Sequence, residues 1–526
     1  MLLLFALAEV LFWGTEIQLP GQLTHTVRLQ LNTPADVARY GVVTVPYSPT
    51  RGQTLLGLRA ATVLPNGHRL PVPAEAIFDT AVVKRGDHEQ RTLSWAFSTL
   101  EPGAIVEYEY TECHADGLPL PLRLPLQREL PVRSREVTVP AGLLAHYRNC
   151  QNCRTHLPAY REEPDAPAGG LAVVEITLPP ETTWSALAAE LAARFEAELA
   201  SAPVTAPGDL EALAELCRTR IQNVLYRTDN LTLRGAPEPN PTPADTWRRG
   251  YGTPHEINLL FAALARAAGH QVFYAQVVNR PDLPDPSQLQ SELIAVRQPH
   301  GYAFFNPGVP YLSAGLLDFD EEGRTALVAT PAGPEFVTLP RSSTCQNRTE
   351  RTAHLLARPD GSVHGTVTLT YSGHAAALRK RRAERQSPAE RLAALRQEFP
   401  GALIENVEIE NLALPAAPVR IRFQVTVSDY ADRSPRRLFF PGRFFARFAS
   451  PRYPSAGRTQ PVEFPFAFSV HDTVTLVAPS GHQRVFHRGL EQERLRYSPA
   501  EFPELYQKWV TFEDAGREVF LMERLP

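Results

Sequence analysis

The chain has 526 residues, enough for about three or four domains at roughly 150 residues each. Its 43% hydrophobic and 21% charged residues are ordinary for a globular protein and exclude a disordered chain, a coiled coil and a collagen-like fibre. A net charge of −4 supplies no basic field for nucleic acid, and five cysteines are too few, and odd in number, for a disulfide scaffold. The most apolar run, Met1 to Trp13, is interrupted by Glu9 and falls short of the roughly 20 residues of a membrane span, so no integral span is expected. It lacks a basic start and an A-x-A-like end, so it is no clear signal peptide. A first β-strand is expected there, with a signal remnant as the alternative.

Residues 1–182 read as a β-sandwich-like domain. Leu23, His25, Val27, Leu29 and Leu31 alternate with polar neighbours, and Val106, Tyr108 and Tyr110 share one face of another strand. Pro65-Asn66-Gly67 and Glu101-Pro102-Gly103 are turn signals, and the Pro/Gly-rich stretch 162–170 reads as a loop. The period lengthens near Thr183, a plausible N-cap. Trp184, Leu187, Leu191, Phe195 and Leu199 recur at helical spacing. A second helix carries Leu210, Leu213, Cys217, Ile221 and Val224. A third starts at Pro254, carries Ile257, Leu260, Phe261, Leu264 and Ala268, and stops at Gly269. Strand-like segments follow at 272–278, 293–296 and 302–305, which makes residues 183–338 an α+β unit. Residues 339–526 read as mainly β, as at 363–371 and 419–427, with one helical insertion over about 375–397. Its Arg379-Lys380-Arg381-Arg382 run is read as a solvated helix face, diluted by Glu384 and Glu390.

The stretch Ala244 to His270, ADTWRRGYGTPHEINLLFAALARAAGH, resembles the nucleophile segment of the transglutaminase-like (transglutaminase/protease) superfamily. There a Gly-Asp-Cys-Lys-Asp-like motif opens a helix ending in LLRAAG. Residues 216–226 resemble the family's preceding helix. Residues 291–296 and 304–307 resemble the strands that bring its His and Asp, and 323–328 the segment after them. The flanks resemble the domain of unknown function ahead of bacterial members and the C-terminal β domain behind them. The resemblance implies a multidomain α+β protein: an N-terminal domain over 1–182, a papain-like/transglutaminase-like core over 183–338, and a C-terminal domain over 339–526. It also implies export or a periplasmic location and no cofactor.

In that family a cysteine thiolate is stabilised at a helix N-terminus, a histidine activates it, and an aspartate orients the histidine. Carried over by position, Pro254 stands for the Cys, Ser291 for the His and Asn306 for the Asp. Trp247, Gly252 and Leu259 to Gly269 pin the first assignment. The only His between 271 and 340, His300, lies in a turn signal. Thr253-Pro254-His255-Glu256 is nonetheless a strong helix start, with a cap, a proline at the first helical position and a capping box. The expectation is a non-catalytic member that binds a protein or peptide, with the old groove sought near Trp247, Tyr251, His255 and Ser291. One alternative is a thiol-dependent amidase or peptidase with a relocated nucleophile. For that role Cys217 reads as core, and Thr253 has no evident base. Another alternative is a metal or redox protein using Cys150 and Cys153 with His146 and His156. Zinc, a local disulfide and a plain loop all fit that cluster, because no second C-x-x-C selects among them.

Overall fold

A computed structural model describes residues 8–523 apart from 86–87, 150–154, 158–159, 161–162, 167–170, 200–207, 225–238, 314, 435–436, 459 and 515–518. The chain forms two compact units, residues 1–179 and 180–526. Both are rich in strands, and the protein as a whole is multidomain α+β.

In the first unit a seven-stranded sheet is built around the hairpin of Glu9–Gln18 and Gln22–Gln30, with Ile105–His114 against its second strand. Period-two alternation turns Val27, Leu29, Val106 and Tyr108 into one core. Residues 9–13 of the apolar run are in the first strand, and residues 1–7 lie outside the described residues. Val132–Thr138 runs parallel to that first strand, so the sheet is mixed. Two three-stranded sheets complete the unit.

The second unit opens with an antiparallel five-stranded sheet in the order Gly301–Phe305, Leu289–Gln298, Val272–Val278, Thr325–Thr330, Gly333–Thr338. One face packs under the helices Trp184–Leu199, Leu210–Arg220 and Pro254–Ala267. The other buries a smaller cluster around Val277, Leu293, Phe304 and Val328. Burial on both faces explains why these strands read as nearly continuous apolar runs. A six-stranded sheet follows, in the order Leu403–Glu410, Val419–Val427, Val363–Tyr371, Arg348–Ala357, Phe468–Val477, Gln483–Gln492.

Several expectations change. The helical insertion is two helices, Gly373–Glu384 and Pro388–Glu398, because Ser387 and Glu390 form a capping box that starts the second afresh. The helix from Leu210 ends at Arg220, where Ile221 turns extended, so Val224 lies outside it. The basic run is not a solvated face. Lys380 is 1% exposed and donates to the carbonyls of Leu414, Pro415 and Ala417, while Arg381 pairs with Asp318 at 2.6 Å. Burial pulls the Lys380 ammonium down to about 8. The helix Phe502–Asp514 was not read from the sequence. Among the described residues no helix is long and apolar enough to cross a membrane.

The helix Pro254–Ala267 begins as its sequence demands. Thr253 Oγ1 accepts from the Glu256 N–H at 3.3 Å, and Glu256 Oε2 accepts from the Thr253 N–H at 2.9 Å. Glu256 also takes the Asn240 N–H at 2.8 Å and its Nδ2 at 2.9 Å. Gly252 lets the chain pass close by, since a Cβ there would meet Thr246 Cγ2 at 3.0 Å and Glu256 Oε2 at 3.2 Å. Thr253→Ala should cost about 1 kcal/mol of stability. Glu256→Ala should cost about 2–3 kcal/mol, because buried donors lose their acceptor. Urea unfolding midpoints of the two variants check the order.

Candidate functional site

Pro254 occupies the first position of its helix, directly after the capping Thr253. Its missing N–H is no loss there. Its backbone is covered by the chain that leaves the strand Gly301–Phe305, and a Cβ on Gly308 would meet Pro254 Cα at 2.8 Å. Asn258, one helical turn on, locks that approach. Its Oδ1 accepts from the Gly308 N–H at 2.9 Å, and its Nδ2 donates to Asn306 Oδ1 at 3.1 Å.

Asn306 is 4% exposed and passes the chain of hydrogen bonds onward, its Nδ2 donating to Glu321 Oε1 at 2.8 Å. Glu321 Oε2 accepts from the Asp318 N–H at 3.1 Å, and the exposed Ser291 hydroxyl favours the ionised form of the same carboxyl group. Burial outweighs these bonds and raises the Glu321 carboxyl to about 7. Ser291 and Asn306 therefore meet on one buried carboxyl group, and Pro254 is tied to them through Gly308 and Asn258. The three positions are neighbours, with no thiol or imidazole among them.

His255 is held elsewhere. Its Nδ1 is 2.8 Å from Glu292 Oε2, and its Nε2 is 3.5 Å from Glu198 Oε2. The hydrogen bond to Glu292 raises the imidazole's pKa, against the effect of burial. Glu292 follows Ser291 where pairing with Val272–Val278 shifts register between Glu292 and Leu289, and its carboxylate is taken by His255. Trp247 stacks under Arg220, 4.0 Å from guanidinium carbon to ring centroid, and the Tyr251 carbonyl accepts from Asn240 Nδ2 at 2.8 Å. A cavity of about 420 Å³ does open in this region. Its walls are Arg218, Asn223, Gly250, Ile257, Pro307 and Tyr311, while Trp247, Tyr251, His255 and Ser291 do not line it. Arg218 donates from Nη2 to the Asn306 carbonyl at 3.3 Å, while its Nε and Nη1 are buried without a partner among the described residues. Burial draws its guanidinium down to about 10.

Glu321, Asn258 and Arg218 went unnoticed in the sequence. Asn258 carried a usable signal, a polar residue on the apolar face one turn after Pro254. Glu321 sits in the acidic run Asp318-Phe319-Asp320-Glu321-Glu322, which resembles solvated loop.

Cys217 is fully buried, and burial pushes its thiol up to about 12, which makes it core and inert toward substrates. Cys150 and Cys153 lie outside the described residues, as does the side chain of His156. His146 Nε2 is 3.2 Å from Thr177 Oγ1. Among the described residues no group of three or more His, Cys, Asp or Glu side chains is arranged to hold a metal.

Residues 20–156 match a family described as a domain of unknown function with a solved structure, DUF3857. No curated protein matches the chain. A solved chain from Parabacteroides distasonis, described as a candidate protease, aligns with 98% of this chain and 99% of its own at 13% identity, with a TM-score of 0.48.

The Glu321 carboxyl titrates near 4.5 when unperturbed and near 7 when folded. The folded state therefore holds this proton more tightly. Its stabilising contribution is complete below pH 4.5 and is lost as the pH rises through 7, on the order of 3 kcal/mol. Glu321→Gln mimics the protonated acid and should remove this loss. Denaturant midpoints should show the variant gaining on the wild type between about pH 5 and about pH 8.

Proposed function

We propose that this protein is a non-catalytic transglutaminase-like binding or scaffolding module of the bacterial cell envelope, with a protein or peptide as its ligand. The three-domain division at 182/183 and 338/339 and the papain-like character of the central domain belong to the same proposal. The observation that carries it is the fate of the triad positions. Pro254 starts a capped helix and is packed against Gly308, while Ser291 and Asn306 spend their polar groups on Glu321. A proline offers no nucleophile, and neither serine nor asparagine can shuttle a proton as histidine does near neutral pH. The loss is compensated structurally, which is what a protein retained for its surface would require.

The cavity beside Arg218 is the natural remnant of a substrate cleft. A buried guanidinium with unpartnered nitrogens suits the carbonyl or carboxylate oxygens of a peptide.

The test assays purified protein against a panel of amide and peptide substrates, with and without iodoacetamide, and maps the alkylated cysteines by mass spectrometry. No thiol-dependent turnover is expected. Among the described cysteines the exposed Cys345 should label first and Cys217 should stay unmodified until the protein unfolds. Pro254→Cys should add a reactive thiol without turnover, because no base is present to cycle it. Iodoacetamide-sensitive turnover by the wild type would overturn the reading.

A further inference from the structure

The second unit holds another cavity, of about 610 Å³, built entirely from residues beyond 348. That volume is within the range of small-molecule sites, and this site shares no residue with the one above. Its floor is one end of the six-stranded sheet. There Thr349 pairs with Tyr371 and Val470, and Arg351 pairs with Leu369 and Asp472. The 3₁₀ turn Phe445–Phe448 and the helix Phe502–Asp514 form the walls.

The charges on this floor do not balance. Asp472 is 2% exposed and accepts two guanidinium groups. Arg351 approaches through Nε at 2.6 Å and Nη2 at 2.9 Å, and Arg488 through Nε. Over the whole cavity the arginines Arg351, Arg379, Arg443, Arg452 and Arg488 exceed the carboxylates Glu398, Asp472, Glu513 and Asp514 by one, and burial disfavours the charged form of Arg488 despite the attraction of Asp472 and Glu513. Aromatic rings hold both groups in place: Arg351 lies 4.9 Å from the Phe445 centroid and Arg488 4.5 Å from that of Phe512. Arg443 is exposed at the cavity and has no carboxylate partner among the described residues. The acids that line the cavity are already engaged. Glu398 takes Arg379 at 3.2 Å, Glu513 takes the Arg452 N–H at 3.0 Å, and Asp514 has a partner of its own.

A second observation is independent of charge. Trp509 lines the same cavity and is 7% exposed, yet its Nε1–H has no acceptor among the described residues. A buried donor left unpaired is costly, and a ligand oxygen would satisfy it once the ring shifts to admit it. The geometry points to a binding site for a small organic carboxylate. Its apolar body packs among Phe445, Phe448 and Phe512, its carboxylate meets Arg443 and the Arg351–Asp472–Arg488 cluster, and Trp509 Nε1–H supplies a further donor. Carboxylate suits the site better than a phosphate dianion, because the cavity carries one excess charge and a guanidinium matches a planar carboxylate in bidentate fashion.

Calorimetric titration of the full chain tests this with four probes: N-acetyl-phenylalanine, octanoate, the neutral N-acetyl-phenylalaninamide and inorganic phosphate. At least one acid should bind saturably at one site per chain, with the neutral amide and phosphate weaker by about tenfold or more. Arg443→Ala removes an exposed side chain and leaves the fold intact, and Trp509→Phe keeps the ring while removing the donor. Each should weaken the acid by about fivefold, and neither should change the unfolding midpoint by much more than a surface substitution does. Three results would each overturn the proposal: no saturable binding of either acid, binding of the amide or of phosphate as tight as that of the acid, or an affinity unchanged in both variants.

Discussion

Two adjacent buried carboxyl groups, Glu321 and Glu322, tie the second unit together. Glu321 gathers Asn306 and Ser291 from the five-stranded sheet. Glu322 takes the buried His374 at 2.8 Å and Ser342 Oγ at 2.9 Å, so it faces the helix Gly373–Glu384. Asn347 extends this side. Its Oδ1 accepts from the His374 N–H at 3.0 Å, and its Nδ2 donates to Ser342 Oγ at 2.7 Å and to the Ala467 carbonyl at 2.9 Å. Asp318, at the start of the same loop, holds Arg381. Polar networks as buried as this one stabilise a fold only when their members are satisfied together, and removing one member leaves the others stranded in low dielectric. A single short loop therefore fixes both the corner around Asn306 and the seat of the six-stranded sheet.

General acid–base catalysis needs groups poised to move a proton. Pro254 instead begins a helix well, and the Asn306 amide bridges Asn258 and Glu321. The His255–Glu292 pair lies next to this corner in sequence, and the hydrogen bond between its members raises the His255 pKa.

Much of this was legible in the sequence, and the reason is local. Val272–Val278, Val363–Tyr371 and Val419–Val427 are strands with the bounds their apolar patterns suggest. The capping box at Thr253 and Glu256 needs only four residues to be recognised. What stayed hidden depends on distant parts of the chain. Lys380 looked solvated because three carbonyls from 414–417 that solvate it lie more than thirty positions away. Glu321 looked like acidic loop because its partners arrive from two strands. The expected groove residues are held by separate partners: His255 by Glu292, Trp247 by Arg220 and the Tyr251 carbonyl by Asn240. No periodicity assigned to single segments reveals which faces meet.

The central claim is that the corner around Pro254, Ser291 and Asn306 is held by buried hydrogen bonds to Glu321. Asn306→Asp tests it most directly, because it places a second carboxylate against Glu321 Oε1, where Nδ2 now donates at 2.8 Å. Unfolding midpoints of wild type and variant should be compared across pH. The account predicts that the variant loses several kcal/mol, about 2–4, above neutral pH and recovers part of it near pH 5, where a shared proton relieves the repulsion. A variant as stable as the wild type at about pH 8 would contradict it, since the corner would then accommodate a second carboxylate beside Glu321.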